Sequence, residues 1–216
     1  MTLQTVVLVL RTGGEFLPEH VRTLVAGIEH WWRPKDEVPR IAVLTNAPED
    51  QYGLLGHMGV KLIPLAYGYP GWWSKMELFC PANNNLGDIL YFDLDTVVVG
   101  DLEDIASVRT LTLLQDFYRP TQLQSALMYL PLEDRPAVWE SWKRGPKVWM
   151  RKFRGDQDFL EPGWGDRAER WQALLPGQVV SYKVHVKKKG KVPEDARVVC
   201  FHGRPRPWHL EGGLPQ

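Results

Sequence analysis

Cysteine is nearly missing from this sequence. Among 216 residues only Cys80 and Cys200 occur, far apart and without a C-x-x-C, which argues against a disulfide framework or a zinc site. Each reads most simply as a buried small hydrophobe. Long apolar runs are missing too: none approaches the ~20 residues that span a bilayer. Met1 to Arg11 is too short and too weakly charged for a secretory signal, so a cytoplasmic protein is expected. Neither G-x-x-x-x-G-K-[ST] nor G-x-G-x-x-G occurs, and the loop Arg11-Thr12-Gly13-Gly14 fails both spacings as a phosphate motif.

Net charge is absent as well, but the balance is uneven. Residues 1–139 carry 10 Lys+Arg against 17 Asp+Glu, and residues 140–210 carry 16 against 8. Such asymmetry suggests a polyanionic partner or substrate on one side; two solvated faces are the plainer alternative. A hydrophobic fraction of 44% and a charged fraction of 24% are ordinary for a globular protein. The length fits one domain, residues 1–216, with a sizeable core.

Strand and helix signals alternate along the chain. Thr5 to Leu10 is a continuous apolar strand, and Pro18 opens a helix with Val21, Leu24, Val25 and Ile28 at helical spacing. Arg40 to Thr45 and Lys61 to Leu65 read as further strands, with Gly53, Gly56 and Gly59 punctuating the segment between them. This β-α-β order predicts a mostly parallel sheet with helices on its faces. Trp72 to Phe79 reads as a short helix bearing Lys75, a surface lysine or a partner for phosphate or acids. Thr110 to Gln115, Ser125 to Leu130 and Arg197 to Phe201 are the later strands, and Gly145-Pro146 breaks a helix over Glu133 to Met150. Asp156 stands where a helix N-cap would. Ten tryptophans are many, and core packing is the better expectation for any single one, though an indole face also suits sugars or bases.

One stretch carries chemistry. Ile89 to Phe92 is a buried apolar run that ends in Asp93-Leu94-Asp95, two carboxylates one residue apart. On a regular strand residues i and i+2 share a side, so the pair repels unless a cation lies between them. Oxygen-loving divalent ions such as Mn²⁺ and Mg²⁺ suit that position and leave room for phosphate oxygens. Ligands of open α/β sheets bind beyond the carboxyl ends of strands, where these residues fall. His202, released at the end of the last strand, is a candidate third ligand, and the arginines after it are candidate phosphate clamps.

Five stretches in order, Trp73-Ser74-Lys75-Met76-Glu77-Leu78-Phe79, Tyr91-Phe92-Asp93-Leu94-Asp95, Gln124-Ser125-Ala126-Leu127-Met128, Gly155-Asp156-Gln157-Asp158 and His202-Gly203-Arg204-Pro205-Arg206-Pro207-Trp208, together resemble a known family. It is that of the GT-A fold glycosyltransferases, particularly the glycogenin-like and lipopolysaccharide galactosyltransferase-like retaining enzymes. The resemblance implies a single-domain α/β fold, a mostly parallel Rossmann-like sheet flanked by helices. It also implies transfer of a sugar, with retention, from a nucleotide diphosphate sugar, UDP being favoured. Asp93, Asp95 and His202 would then hold Mn²⁺ or Mg²⁺. Arg11, Lys75, Asp93, Ser125 and Arg206 would bind the donor, Arg206 standing where the family usually carries a lysine. Asp156 and Gln157 would line the sugar and acceptor pocket as the catalytic residues. Acceptors compatible with the basic half include nucleic acid, such as DNA carrying hydroxymethylated bases, and an anionic glycolipid such as lipopolysaccharide. A nucleotidyltransferase or sugar-nucleotide pyrophosphorylase, and a non-catalytic nucleotide-sugar binding module, remain as alternatives.

Overall fold

The computed structural model describes residues 4–32, 38–48, 51 and 59–215. Gly53 and Gly56, read above as punctuation, lie outside the described residues. Among the described residues ten strands form two sheets: β1 Gln4–Leu10, β2 Ile41–Thr45, β3 Lys61–Pro64, β4 Asp88–Phe92, β5 Thr96–Val98, β6 Thr112–Gln115, β7 Leu123–Leu130, β8 Glu169–Arg170, β9 Val179–Ser181 and β10 Val198–Cys200. Seven of them make the main sheet in the order β3-β2-β1-β4-β7-β6-β8, and β5-β10-β9 make a smaller one.

The expected parallel core is present. β1 lies between β2 and β4, parallel to both, with Val6 opposite Ile41 and Leu90. The unbroken apolar composition of β1 follows from covering on both faces. Val6, Leu8 and Leu10 pack with Val21, Leu24, Val25 and Ile28 of the helix Pro18–Trp31 on one side. Val7 and Val9 pack with Trp73, Met76 and Phe79 on the other. β4 divides in the same way, Leu90 and Phe92 against Ile89 and Tyr91. A strand with two buried faces cannot alternate polar and apolar residues.

β7 is the antiparallel member, pairing with both β4 and β6. The link from β6 is too short for a crossover and must be a hairpin. Asp116 shapes that link, accepting the N–H groups of Tyr118 and Arg119 at 2.8 Å each, while its own N–H donates to Gln122 O at 2.8 Å.

The tryptophans behave largely as expected: Trp73, Trp139, Trp142, Trp164 and Trp171 are buried, whereas Trp72 is 59% exposed. Both cysteines are free and buried. The segment between residues 71 and 87 is fixed by Arg135, fully buried, which donates to Leu78 O at 3.0 Å and Gly87 O at 2.8 Å. Burial lowers its pKa to about 10, with Asp88 opposing. Among the described residues no helix is long and apolar enough to cross a membrane.

Candidate active site

The site forms where the two sheets meet. β4 ends at Phe92, and the turn that follows holds Asp93 and Asp95 before β5 begins. The carboxylates therefore stand on a turn and not on a regular strand. Asp93 N–H donates to Ala126 O of β7 at 2.8 Å, and Thr96 closes the turn onto Asp93 O through N–H at 3.0 Å and Oγ1 at 2.7 Å. Asp95 O accepts Phe201 N–H at 3.1 Å, which ties the turn to the end of β10. Both acids thus sit at the carboxyl edge of the main sheet, held by backbone bonds that leave the side chains free to turn inward.

They face a cavity of about 830 Å³. Arg11, Lys75, Asp93, Asp95, Ser125, Asp156, Gln157, His202 and Arg206 all line it. Their segments come from the end of β1, the 3₁₀ helix Gly71–Phe79, the β4–β5 turn, β7, the helix Asp156–Trp164 and the chain after β10. Lys75 is the hub. Its Nζ lies 3.1 Å from Asp93 Oδ1, 3.0 Å from Asp156 Oδ2 and 3.0 Å from Ser125 Oγ. Burial disfavours its charge, but Asp156 and Asp93 outweigh that and raise its pKa. Ser125 Oγ donates to Asp156 Oδ2 at 2.6 Å, and Tyr91 O–H donates to Asp93 Oδ1 at 2.5 Å.

Asp95 has a different cation. Its Oδ2 accepts from Arg206 Nη1, and Arg206 also pairs with Glu15 at 3.1 Å and lies 5.1 Å over the Phe16 ring. Burial and the Asp93 charge push the Asp95 carboxyl up, to about 7, with Arg206 and Lys75 pulling the other way. Trp208, two residues on, stacks on His20 at 3.6 Å. The chain after β10 is thereby strapped to the loop after β1. That loop does not carry a phosphate motif; it supplies Glu15 and Phe16, and Thr12 N–H anchors it to Asn46 Oδ1 at 2.8 Å.

The proposed three-ligand metal set is not gathered. His202 Nε2 lies 2.6 Å from Ser181 Oγ, its ring stacks on Phe117 at 5.6 Å, and its carbonyl accepts from Lys183 Nζ at 2.7 Å. Burial, then the Lys183 charge, lowers its pKa to about 4. Among the described residues no group of three His, Cys, Asp or Glu side chains is placed to hold a metal. The carboxylate pair alone offers hard oxygen donors, and Asp95 Oδ1 takes no hydrogen bond from the described residues. Two carboxylates fit a hard divalent ion as partial ligands; His202 fits only by leaving Ser181.

A second expectation also changes. Asp156 does not cap its helix: Gly155 is the N-cap, and the Asp156 carboxylate turns to Lys75 and Ser125. A buried ammonium and a hydroxyl outbid the helix N–H groups for it.

No family model and no curated protein matches the chain in sequence. Solved structures do match in shape. The apo form of glycosyltransferase GlyE from Streptococcus pneumoniae TIGR4 aligns with all of this chain and 58% of its own, at 14% identity and TM-score 0.67. The galactosyltransferase LgtC, in complex with donor and acceptor sugar analogues, aligns over 97% of this chain and 90% of its own, at 12% identity and TM-score 0.68. The bifunctional glycosyltransferase WbbM aligns over 96% of this chain and 47% of its own, at 13% identity and TM-score 0.66. The fold is GT-A-like, that of glycosyltransferases. The chain spans about three fifths of GlyE.

Within this GT-A-like fold several cavity residues escaped the sequence reading. Tyr91 looked like core, and its ring is core, yet its hydroxyl reaches Asp93. Glu15 had no signal beyond its place after the glycines. Trp72 and Arg119 line the cavity as well, and only their types, aromatic and cationic, hinted at it.

Proposed function

We propose that the chain is a glycosyltransferase that moves a sugar, with retention, from a nucleoside diphosphate sugar, UDP-linked by resemblance, to an acceptor hydroxyl. The observation that carries this reading is the convergence of Asp93, Asp95, Lys75 and Arg206 in one cavity at the carboxyl edge of a parallel sheet. Arg206 is the residue for the diphosphate. Its planar fork matches two phosphate oxygens, and only its bonds to Asp95 and Glu15 have to be exchanged for them. Positive charge fixed beside the leaving diphosphate stabilises the charge that develops there.

Mn²⁺ or Mg²⁺ belongs to the proposal, held by Asp93 and Asp95. Such an ion, when bound, would supply Lewis-acid stabilisation of the diphosphate. Asp156 is held by Lys75 and Ser125, and the adjoining Gln157 lines the cavity; in this reading the two residues face the sugar and the acceptor. The test is nucleoside diphosphate release from a panel of nucleotide-sugars with Mn²⁺ and an acceptor extract. Release that disappears in Asp95→Ala is expected. Pyrophosphate release from nucleoside triphosphates, with no response to sugar nucleotides, would replace this reading by a nucleotidyltransferase.

A further inference from the structure

The acceptor side of the cavity has its own chemistry. Residues 143–154, Lys-Arg-Gly-Pro-Lys-Val-Trp-Met-Arg-Lys-Phe-Arg, carry six cations and no acid. They run from the end of the helix Arg135–Lys143 through the helix Pro146–Lys152, which buries none of its residues. Lys143 pairs with Glu140 at 2.6 Å, and Lys152 lies 5.2 Å over the Phe153 ring. Arg144, Lys147, Arg151 and Arg154 make no ion pair among the described residues. Four unpaired cations so close in the chain repel one another.

This segment joins two ring-lined hollows. At one end Arg144 and Lys152 rim a cleft of about 460 Å³ lined by Trp149, Phe153, Phe159 and Trp164. At the other end Arg154 enters the wall of the 830 Å³ cavity beside Trp72. The Trp72 indole lies against Gly155, where a Cβ would come within 3.3 Å of Nε1, so a larger residue would shift the ring.

We propose that the acceptor is a single-stranded or locally unpaired nucleic acid. One base stacks on Trp72 at the cavity mouth, the phosphates follow Arg154, Arg151, Lys147 and Arg144, and a second nucleotide enters the 460 Å³ cleft. The assignment rests on the glycosyltransferase reading above. Alternation of ring, phosphate and ring matches the order of hollow, cations and hollow, and indole takes the face of any base. An anionic bilayer would need apolar side chains projecting on the same face as the cations. Here the rings line concavities, and of this segment's large hydrophobics only Val148 is exposed. A neutral saccharide would leave the four cations without a partner. In the transfer, a hydroxyl oxygen of the stacked nucleotide forms the new bond to the anomeric carbon. The bond from that carbon to the diphosphate breaks, and the hydroxyl proton leaves with the diphosphate or to solvent.

The test uses the whole chain and measures binding of a labelled 12-nucleotide single strand, the matching duplex and phosphatidylglycerol vesicles as salt is raised. The strand should bind, with log affinity falling linearly in log salt. Arg144→Gln/Lys147→Gln/Arg151→Gln/Arg154→Gln should flatten that slope by about 2 to 3, at ~0.7 per phosphate contact. Trp72→Ala should weaken strand binding roughly 5- to 100-fold with the slope unchanged. Both variants should keep the parent's melting temperature. Vesicle binding without strand binding, or a slope unmoved in the fourfold variant, overturns the proposal while leaving the donor site intact. Failure of the parent to bind any nucleoside diphosphate instead removes the glycosyltransferase reading, and the acceptor assignment with it.

Discussion

Replacing Lys75 by Met keeps most of the aliphatic stem and deletes the ammonium at the centre of the site. With 8% of its side chain exposed, Lys75 bonds Asp93 Oδ1 at 3.1 Å and Asp156 Oδ2 at 3.0 Å. Without it, among the described residues, Asp156, 7% exposed, keeps only the Ser125 hydroxyl, and Asp93 keeps only the Tyr91 hydroxyl and whatever water reaches it. Removing one partner from a buried ion pair costs about 3–5 kcal/mol, because the other charge stays buried and unpaired. A domain of this size loses roughly 2–4 °C of Tm per kcal/mol, so a fall of about 6–20 °C is expected. Urea unfolding at pH 7 would read the same loss as a lower midpoint at constant m-value. Lys75→Met/Asp156→Asn removes the more deeply buried of the two stranded charges, leaving the partly exposed Asp93, and should return to within about 2 kcal/mol of the parent. A single variant within ~1 kcal/mol of the parent, or a double variant no better than the single, would refute the view that the ammonium holds these acids together.

Arg206→Gln should lower nucleoside diphosphate affinity by about 1–3 kcal/mol in calorimetry, the range for hydrogen bonds to charged groups; unchanged affinity would put the chain after β10 outside the donor site. The same variant should bind Mn²⁺ more tightly than the parent when no nucleotide is present, since Asp95 loses its competing cation. Arg135→Leu leaves the carbonyls of Leu78 and Gly87 buried without their donor and should cost about 3 kcal/mol by denaturant unfolding. His202 has a folded pKa of about 4 against an ordinary 6.5. The unfolded chain therefore binds more protons across that window, and stability should fall as pH drops from 6.5 toward 4. His202→Gln should flatten that part of the pH–stability profile, and a profile identical to the parent's would contradict the burial of a neutral imidazole.

What was legible in the sequence depended on whether the signal was local. β1 and β4 were readable because covering on both faces forces an unbroken apolar run, and the helix after Pro18 because one apolar stripe meets the sheet. The smaller sheet was readable only in β10, which lies within the strand expected over Arg197 to Phe201. β5, β9 and β10 have three residues each, and nothing within Thr96–Val98 reveals that Val97 pairs with Val199. β8, with two residues, has no periodicity at all. Asp156 shows the same limit at one side chain. Its position suits a helix start, but whether its carboxylate takes a nearby N–H or a distant ammonium depends on where the fold puts Lys75.

The carboxylate pair is the instructive case. Two acids at i and i+2 need positive charge, but the need does not say whose. In this fold the chain supplies it twice, Lys75 on Asp93 and Arg206 on Asp95. The two cations are not equivalent. Lys75 is bound on several sides by groups that stay in place, whereas Arg206 belongs to a strap held by Glu15, the Phe16 ring and the stack of Trp208 on His20. Arg206 can leave Asp95 at little cost only if another anion receives it, and a diphosphate is such an anion. Once it has moved, Asp95 is again a buried acid beside Asp93 and favours a new cation. Diphosphate and divalent ion are then expected to favour each other's binding, each removing the obstacle to the other, with the coupling residing in the single contact between Arg206 and Asp95.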